Sequence, residues 1–271
     1  MPSTVDRSSW HRAAPWFVLA NVVLLGWALQ APAAGMLAVG EQAGAAVPKL
    51  LAGKTIVIDP GHQLGNSTHL AQINGLVNAG GFMKACNTTG TATNGGFPES
   101  MFTWDVATLL RTRLVAEGAK VYMTRYSNSW SHWGPCIDAR GRLGNRVHAD
   151  AAISIHADGA SSSYRGFFVI MPGHRAGWTD DIYTSSHQLG AAVHGGLVDT
   201  GAIIANDYGG TGYSSRTDLG TLNWSNIPIV MVELGNMRNG NDAAHMTSPT
   251  YRSNVYAHGL ALGVTRYVVH R

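Results

Sequence analysis

The sequence has little cysteine: only Cys86 and Cys136 in 271 residues. No CxxC pair occurs, which argues against a thiolate zinc module. Charge is also scarce, at 13% of residues, and the formal net charge is +3. There is no lysine or arginine run and no recognised nucleic-acid motif, so nucleic acid is not an expected partner. The mild positive balance would suit residence near anionic polymers, but is a weak signal. Two catalytic signatures are missing as well. Ser154 sits in no GxSxG elbow. Gly209-Gly210-Thr211-Gly212 lacks the following Lys-Ser/Thr and the strand-to-helix context of a phosphate loop. No internal repeat is visible, and no linker separates two domains.

Long apolar runs are confined to the amino terminus. Arg7, His11 and Arg12 lead into the apolar run Ala13 to Leu29, followed by Ala31-Pro32-Ala33. This order of basic lead, apolar stretch and small-residue site is that of a secretory signal. An uncleaved anchor is the alternative, but a run of about 17 residues containing Pro15 is at the lower limit for spanning a bilayer. We expect residues 1–33 to be a signal peptide, residues 34–53 a lead-in segment and residues 54–271 the catalytic domain. The expected location is secreted, periplasmic or cell-wall associated, with no stable membrane insertion after cleavage. In an exported chain Cys86 and Cys136 are expected to form a disulfide. Loop entropy alone would make that bond worth about 4 kcal/mol.

What is present is a set of aliphatic runs, each with a polar residue at its end. Thr55-Ile56-Val57-Ile58-Asp59-Pro60-Gly61 leads to His62. Ala152-Ile153-Ser154-Ile155 leads to His156, and Ile229-Val230-Met231-Val232 leads to Glu233. Strands buried on both faces read this way in parallel sheets, and ligand chemistry gathers outside their carboxyl ends. Further strands are expected over 121–125 and 166–171. Helices are expected from Pro98-Glu99 to Gly118, over 137–148, over 180–198 and over 249–270. Alternating strands and helices predict a single-domain α/β fold with a mostly parallel central sheet and helices on both faces. The stretches 63–98 and 203–225, rich in glycine, read as irregular. The first is long enough to suggest a functional role. With Cys86 inside it, it is expected to be pinned near the cleft, either covering the groove in part or forming a stapled surface loop.

Two imidazoles and a carboxylate at strand ends suggest a catalytic metal with three protein ligands and one open position. His62 and His156 are the natural nitrogen donors. Glu99 can reach the same spot from a helix start, although an ordinary first-turn carboxylate favoured by the helix dipole is the alternative. Glu233 is costly to bury unpaired, and can serve either as third ligand or as general base. His69 is a less suited substitute ligand, in polar surroundings. The remaining histidines, His187 and His194 among them, are expected to be surface or packing residues. Asp59 can orient His62 or simply shape the turn before Pro60-Gly61. Arg216 and Asn236 are candidates for contact with substrate or for structural roles.

These residues resemble the zinc-dependent N-acetylmuramoyl-L-alanine amidases of the type-3 family. The likeness rests on Thr55 to His62 with Gly65, on Pro98-Glu99, and on Arg140, Asn145 and Ala149-Asp150 with Ser154-Ile155-His156-Ala157-Asp158. It also rests on Asp218-Leu219, Leu222, Ile227-Pro228 and Val232-Glu233-Leu234-Gly235-Asn236. It spans Lys54 to about Val268, and the cysteine pair looks most like actinobacterial and mycobacterial members. The resemblance implies one zinc ion held by His62, Glu99 and His156, with Glu233 as the catalytic carboxylate. It implies cleavage of the amide between the lactyl group of N-acetylmuramic acid and L-alanine of the stem peptide, in cell-wall remodelling or turnover. The alternatives are a zinc peptidase cutting within stem peptides, and a wall-binding module with a dead site. The expected partners are peptidoglycan fragments or muropeptides, met by a monomer. With no separate wall-binding repeat, recognition is expected to come from the cleft itself.

Overall fold

The aliphatic runs become neighbouring strands. The computed structural model describes residues 49–271. The expected signal peptide and most of the lead-in lie outside the described residues. The strands are β1 (Thr55–Pro60), β2 (Leu76–Asn78), β3 (Met83–Ala85), β4 (Lys120–Met123), β5 (Ala151–Asp158), β6 (Phe168–Pro172), β7 (Tyr213–Arg216) and β8 (Ile229–Asn236). Six of them form one sheet in the order β4-β1-β5-β8-β6-β7. β4, β1, β5 and β8 run parallel. β6 is antiparallel to β8, and β7 is parallel to β6. The sheet is therefore mostly parallel, as its unbroken aliphatic runs require.

Side chains alternate along each strand and feed two cores. Ile56, Ile58, Ile153 and Ile155 pack with the helices Glu99–Ala116, Tyr183–Asp199 and His258–Val269. Val57, Ala152, Ile229 and Met231 pack on the other face, with Leu143 of the helix Ile137–Val147 and Leu222 of the short helix Gly220–Asn223. In the helix Glu99–Ala116 the buried residues Phe102, Val106, Leu110 and Leu114 recur every four residues, which turns one side toward the sheet. Leu51 is also fully buried, and its N–H donates to the carbonyl of Glu117.

Two stretches that read as irregular contain structure. Residues 63–98 hold a 3-10 turn (Leu64–Thr68), a short helix (Leu70–Ile73) and the antiparallel pair β2–β3. Residues 203–225 hold β7 and the helix Gly220–Asn223. Elements of three or four residues leave little periodicity to read, and side chains from elsewhere hold them. Trp224 Nε1 and Asn223 Nδ2 donate to the carbonyls of Asn78 and Ala79, and Arg175 Nε donates to that of Gly80. Cys86 and Cys136 are disulfide-bonded, which ties the residue after β3 to the start of the helix Ile137–Val147. Among the described residues no helix is long and apolar enough to cross a membrane.

Candidate metal centre

The carboxyl ends of β1, β5 and β8 lie side by side, and the chemistry collects there. His62 follows β1 in a left-handed backbone conformation, φ 57°. Such a conformation is uncommon for a residue other than glycine and needs outside support. Two buried arginines supply it. Arg140 donates to the carbonyls of Pro60 and His62, and Arg125 to those of Pro60 and Gly61. A side chain at Gly61 would strike the His156 ring, since an added Cβ would lie 2.5 Å from its Cε1.

Glu99 opens its helix directly after Pro98, and both its oxygens are held. Oε2 accepts from the N–H of Thr91 and Oε1 from the N–H of Ala157, at 2.9 and 3.0 Å. Oε1 also lies 3.1 Å from His62 Nε2 and 3.0 Å from His156 Nδ1. One donor atom from each of the three residues falls within 4.8 Å of the others. The opposite nitrogen of His62, Nδ1, lies 3.0 Å from the carbonyl of Thr88. As a donor to that carbonyl, Nδ1 carries the proton, and the lone pair of neutral His62 is left on Nε2, facing Glu99. A lone pair and a carboxylate in contact repel unless a proton or a cation sits between them. The His–Glu–His group offers the donor set for a metal ion in that place. Gly90, at φ 77°, lets the loop close over it, because an added Cβ would come within 2.8 Å of Glu99 Oε2.

Burial works against ionised Glu99, yet His62 and His156 hold its carboxyl far below the usual range. Burial likewise opposes the imidazolium of His62, but Glu99 and the Thr88 carbonyl raise it above the ordinary histidine value. For His156 burial prevails and lowers it.

Glu233 lines the same cavity of about 340 Å³, with Lys84, Asp158 and Thr221 on its walls. It stands opposite His156 in the β5–β8 register. It is not one of the three clustered donors. Its Oε2 is shielded from solvent and has no hydrogen-bond partner. Burial, with Glu99 and Asp158 nearby, raises its carboxyl well above the usual range, against a smaller opposing pull from Arg216. Residues of the stretch 63–98 form part of the cavity wall, including Lys84, Asn87 and Thr88 next to Cys86.

Other candidates fall elsewhere. Asp59 does not orient His62. Its carboxylate accepts from Arg140, Thr124 and Ser154, and the Thr88 carbonyl takes the orienting place. Asn236 is buried and structural, donating to the carbonyls of Ala160, Ser161 and Tyr164. Arg216 is paired with Asp218 through two hydrogen bonds. His69 Nδ1 meets the Gly65 carbonyl, while His187 and His194 meet those of Pro172 and Thr211. Thr88, Lys84 and Arg125 escaped the sequence reading. A backbone acceptor has no side-chain signature, and isolated basic residues in loops carry no pattern.

A sequence profile of the N-acetylmuramoyl-L-alanine amidase family matches residues 56–266. The chain is 37% identical over 225 residues to the N-acetylmuramoyl-L-alanine amidase Rv3717 of Mycobacterium tuberculosis, an alignment covering 82% of this chain and 90% of that protein. Among solved structures, the N-acetylmuramyl-L-alanine amidase Ami1 of Mycobacterium smegmatis superposes with a TM-score of 0.76 at 34% identity, over 82% of this chain and 99% of that one. The apo form of Ami1 from Mycobacterium abscessus gives 0.74 at 38% identity, over 80% and 99%.

Proposed function

The chain belongs to the N-acetylmuramoyl-L-alanine amidase family, and from that membership we propose a division of labour among its residues. The enzyme is a peptidoglycan amidase. The bond it cuts joins the lactyl carbonyl of N-acetylmuramic acid to the nitrogen of L-alanine in the stem peptide. His62, Glu99 and His156 hold one zinc ion. Two nitrogen donors and a carboxylate with their atoms within 4.8 Å of one another are the donor set that zinc takes. When bound, zinc supplies a Lewis acid that polarises the carbonyl and acidifies water.

The other steps fall to the chain itself. Arg140 and Arg125 lock the turn that carries His62, so the donor set is fixed before substrate arrives. Glu233 accepts the proton of the attacking water at its carboxylate and returns it to the leaving alanine nitrogen. The single observation that carries this reading is that Glu233, whose buried Oε2 has no hydrogen-bond partner, lines the cavity it shares with the ligand trio. A stem-peptide product with a free L-alanine amino terminus, identified by mass spectrometry, is the expected outcome with metal-loaded protein. Shortened peptides would instead mean a peptidase, and no product a dead binding module. Metal content of one zinc per chain in the purified protein, lost in His62→Ala, checks the ligand assignment.

The cell-wall substrate and the disulfide agree with a site of action outside the cytoplasm. We place the enzyme as secreted, periplasmic or wall-associated, with residues 1–33 as the signal that takes it there. Amino-terminal sequencing of the exported protein tests this.

A further inference from the structure

Among the described residues that line the cavity of the ligand trio, two basic side chains stand beside the histidines: Arg140 and Lys84. They differ in the donors they have left. Arg140 is buried and uses its N–H groups on Asp59 and on the carbonyls of Pro60, His62, Gly134 and Pro135. A guanidinium has no more to give. Lys84, on β3, is partly exposed, and its Nζ donates to the carbonyl of Asp218 at 2.9 Å and to Asp218 Oδ2 at 3.3 Å. An ammonium carries three N–H donors, so one remains.

The charges at this wall are uneven. Asp218 is already matched by Arg216, whose Nε and Nη2 donate to its two oxygens at 2.8 and 2.7 Å. Lys84 brings a second cation to the same carboxylate, which leaves the group with an excess positive charge. Lys84 and Ala85 line the cavity, as do Leu219, Gly220 and Thr221 directly after Asp218. Arg216 is near enough to Glu233 to favour its ionised form. The excess charge therefore belongs to the cavity in which the amide is cut.

Lys84 is also held in place. Its strand pairs with β2, where Val77 stands opposite. Trp224, Asn223 and Arg175 donate to the carbonyls of Asn78, Ala79 and Gly80 at the turn between the two strands. Two residues on, Cys86 is bonded to Cys136. A cation fixed before its ligand arrives loses little freedom on binding.

We propose that Lys84 binds a carboxylate on the stem-peptide residue that follows L-alanine, and so makes the enzyme select acidic over neutral stem peptides. The inference rests on the amidase reading. A cavity of about 340 Å³ is at the small end for a ligand pocket, so it takes only the residues close to the bond under attack. Elsewhere the cavity is lined by Glu99, Asp158 and Glu233, which repel a carboxylate. The ammonium of Lys84 attracts one, and a hydrogen bond between two charged groups is about twice as strong as a neutral one. A carboxamide in the same place supplies no charge.

The test uses the full, metal-loaded chain and two substrates, N-acetylmuramoyl-L-alanyl-D-glutamate and its diamide. The parent protein should cleave the first with a kcat/KM about tenfold or more above the second. In Lys84→Met, which keeps the aliphatic stem, that ratio should fall to about one, and Lys84→Arg should restore most of it. A purely structural tie to Asp218 would leave the ratio untouched. A parent without preference would overturn the proposal whatever the variants do, and so would a preference retained by Lys84→Met. Calorimetric binding of L-alanyl-D-glutamate and of its diamide gives a readout independent of turnover, and the same preference, lost in Lys84→Met, is expected. That binding preference without any cleavage would defeat the amidase reading and leave the role of Lys84 standing.

Discussion

Asp59 on β1 and Glu233 on β8 are both acidic residues ending aliphatic strands, and β5 lies between them. Their surroundings are opposite. Asp59 is fully enclosed and receives hydrogen bonds from Arg140, Thr124 and Ser154. Burial opposes its ionisation, but these partners outweigh burial and keep its carboxyl below the usual range. Glu233 has no partner on Oε2, and burial beside Glu99 and Asp158 drives it up. The first carboxylate has both oxygens held by the protein, so it holds structure. The second keeps capacity free in a cavity, as a proton carrier must. Satisfaction by neighbours, more than position at a strand end, separates scaffold from chemistry.

Exchanging the polar atoms of each residue should sharpen this contrast. Glu233→Gln should lower kcat by about 10²–10⁴-fold, the range for loss of a general acid–base, while thermal unfolding shows no loss of stability. A variant with near-parent turnover would remove Glu233 from proton transfer. Asp59→Asn should act in the opposite sense. It leaves Arg140 buried without its counter-charge, for which about 3–5 kcal/mol of stability should be lost in denaturant unfolding. Unchanged unfolding with lost turnover would mean the two roles had been exchanged.

The pH dependence separates the two carboxylates by sign. Asp59 has a folded value below its unfolded one. Its stabilisation is complete above the ordinary aspartate value of about 4 and disappears as pH falls through the lower folded value. The parent protein should therefore lose stability more steeply than Asp59→Asn as pH drops below about 4. Parallel curves would show that Asp59 is not held ionised by its partners. The smallest effect is expected from Ser154→Ala. This removes one hydrogen bond to a charged group, for which about 1.5–3 kcal/mol is typical, and its midpoint shift in the same denaturant experiment should be smaller than that of Asp59→Asn.

The strand framework was legible because a parallel sheet buried on both faces demands unbroken aliphatic runs, and His62, His156 and Glu233 stand where those runs end. The helix start at Pro98-Glu99 was legible for a similar local reason. The partners of Asp59 were not. They come from the residue after β4, from β5 and from the helix Ile137–Val147, and no spacing along the chain announces that they meet. Asn236 misled in the same way, since its three carbonyl acceptors belong to the loop 160–164. The small elements within 63–98 were hidden because three-residue strands are too short to show alternation.

By itself the sequence determined the α/β class, the mostly parallel strands and the two histidines at strand ends, because hydrophobic period and strand-end residue type are local properties of the chain, while Glu99 as third donor came only with the family resemblance. Only the tertiary structure decided which carboxylate is satisfied and which is free. It alone set the orientation of His62 through the Thr88 carbonyl. Desolvation and hydrogen-bond satisfaction depend on atoms distant in sequence, and those neighbours exist only once the sheet has formed.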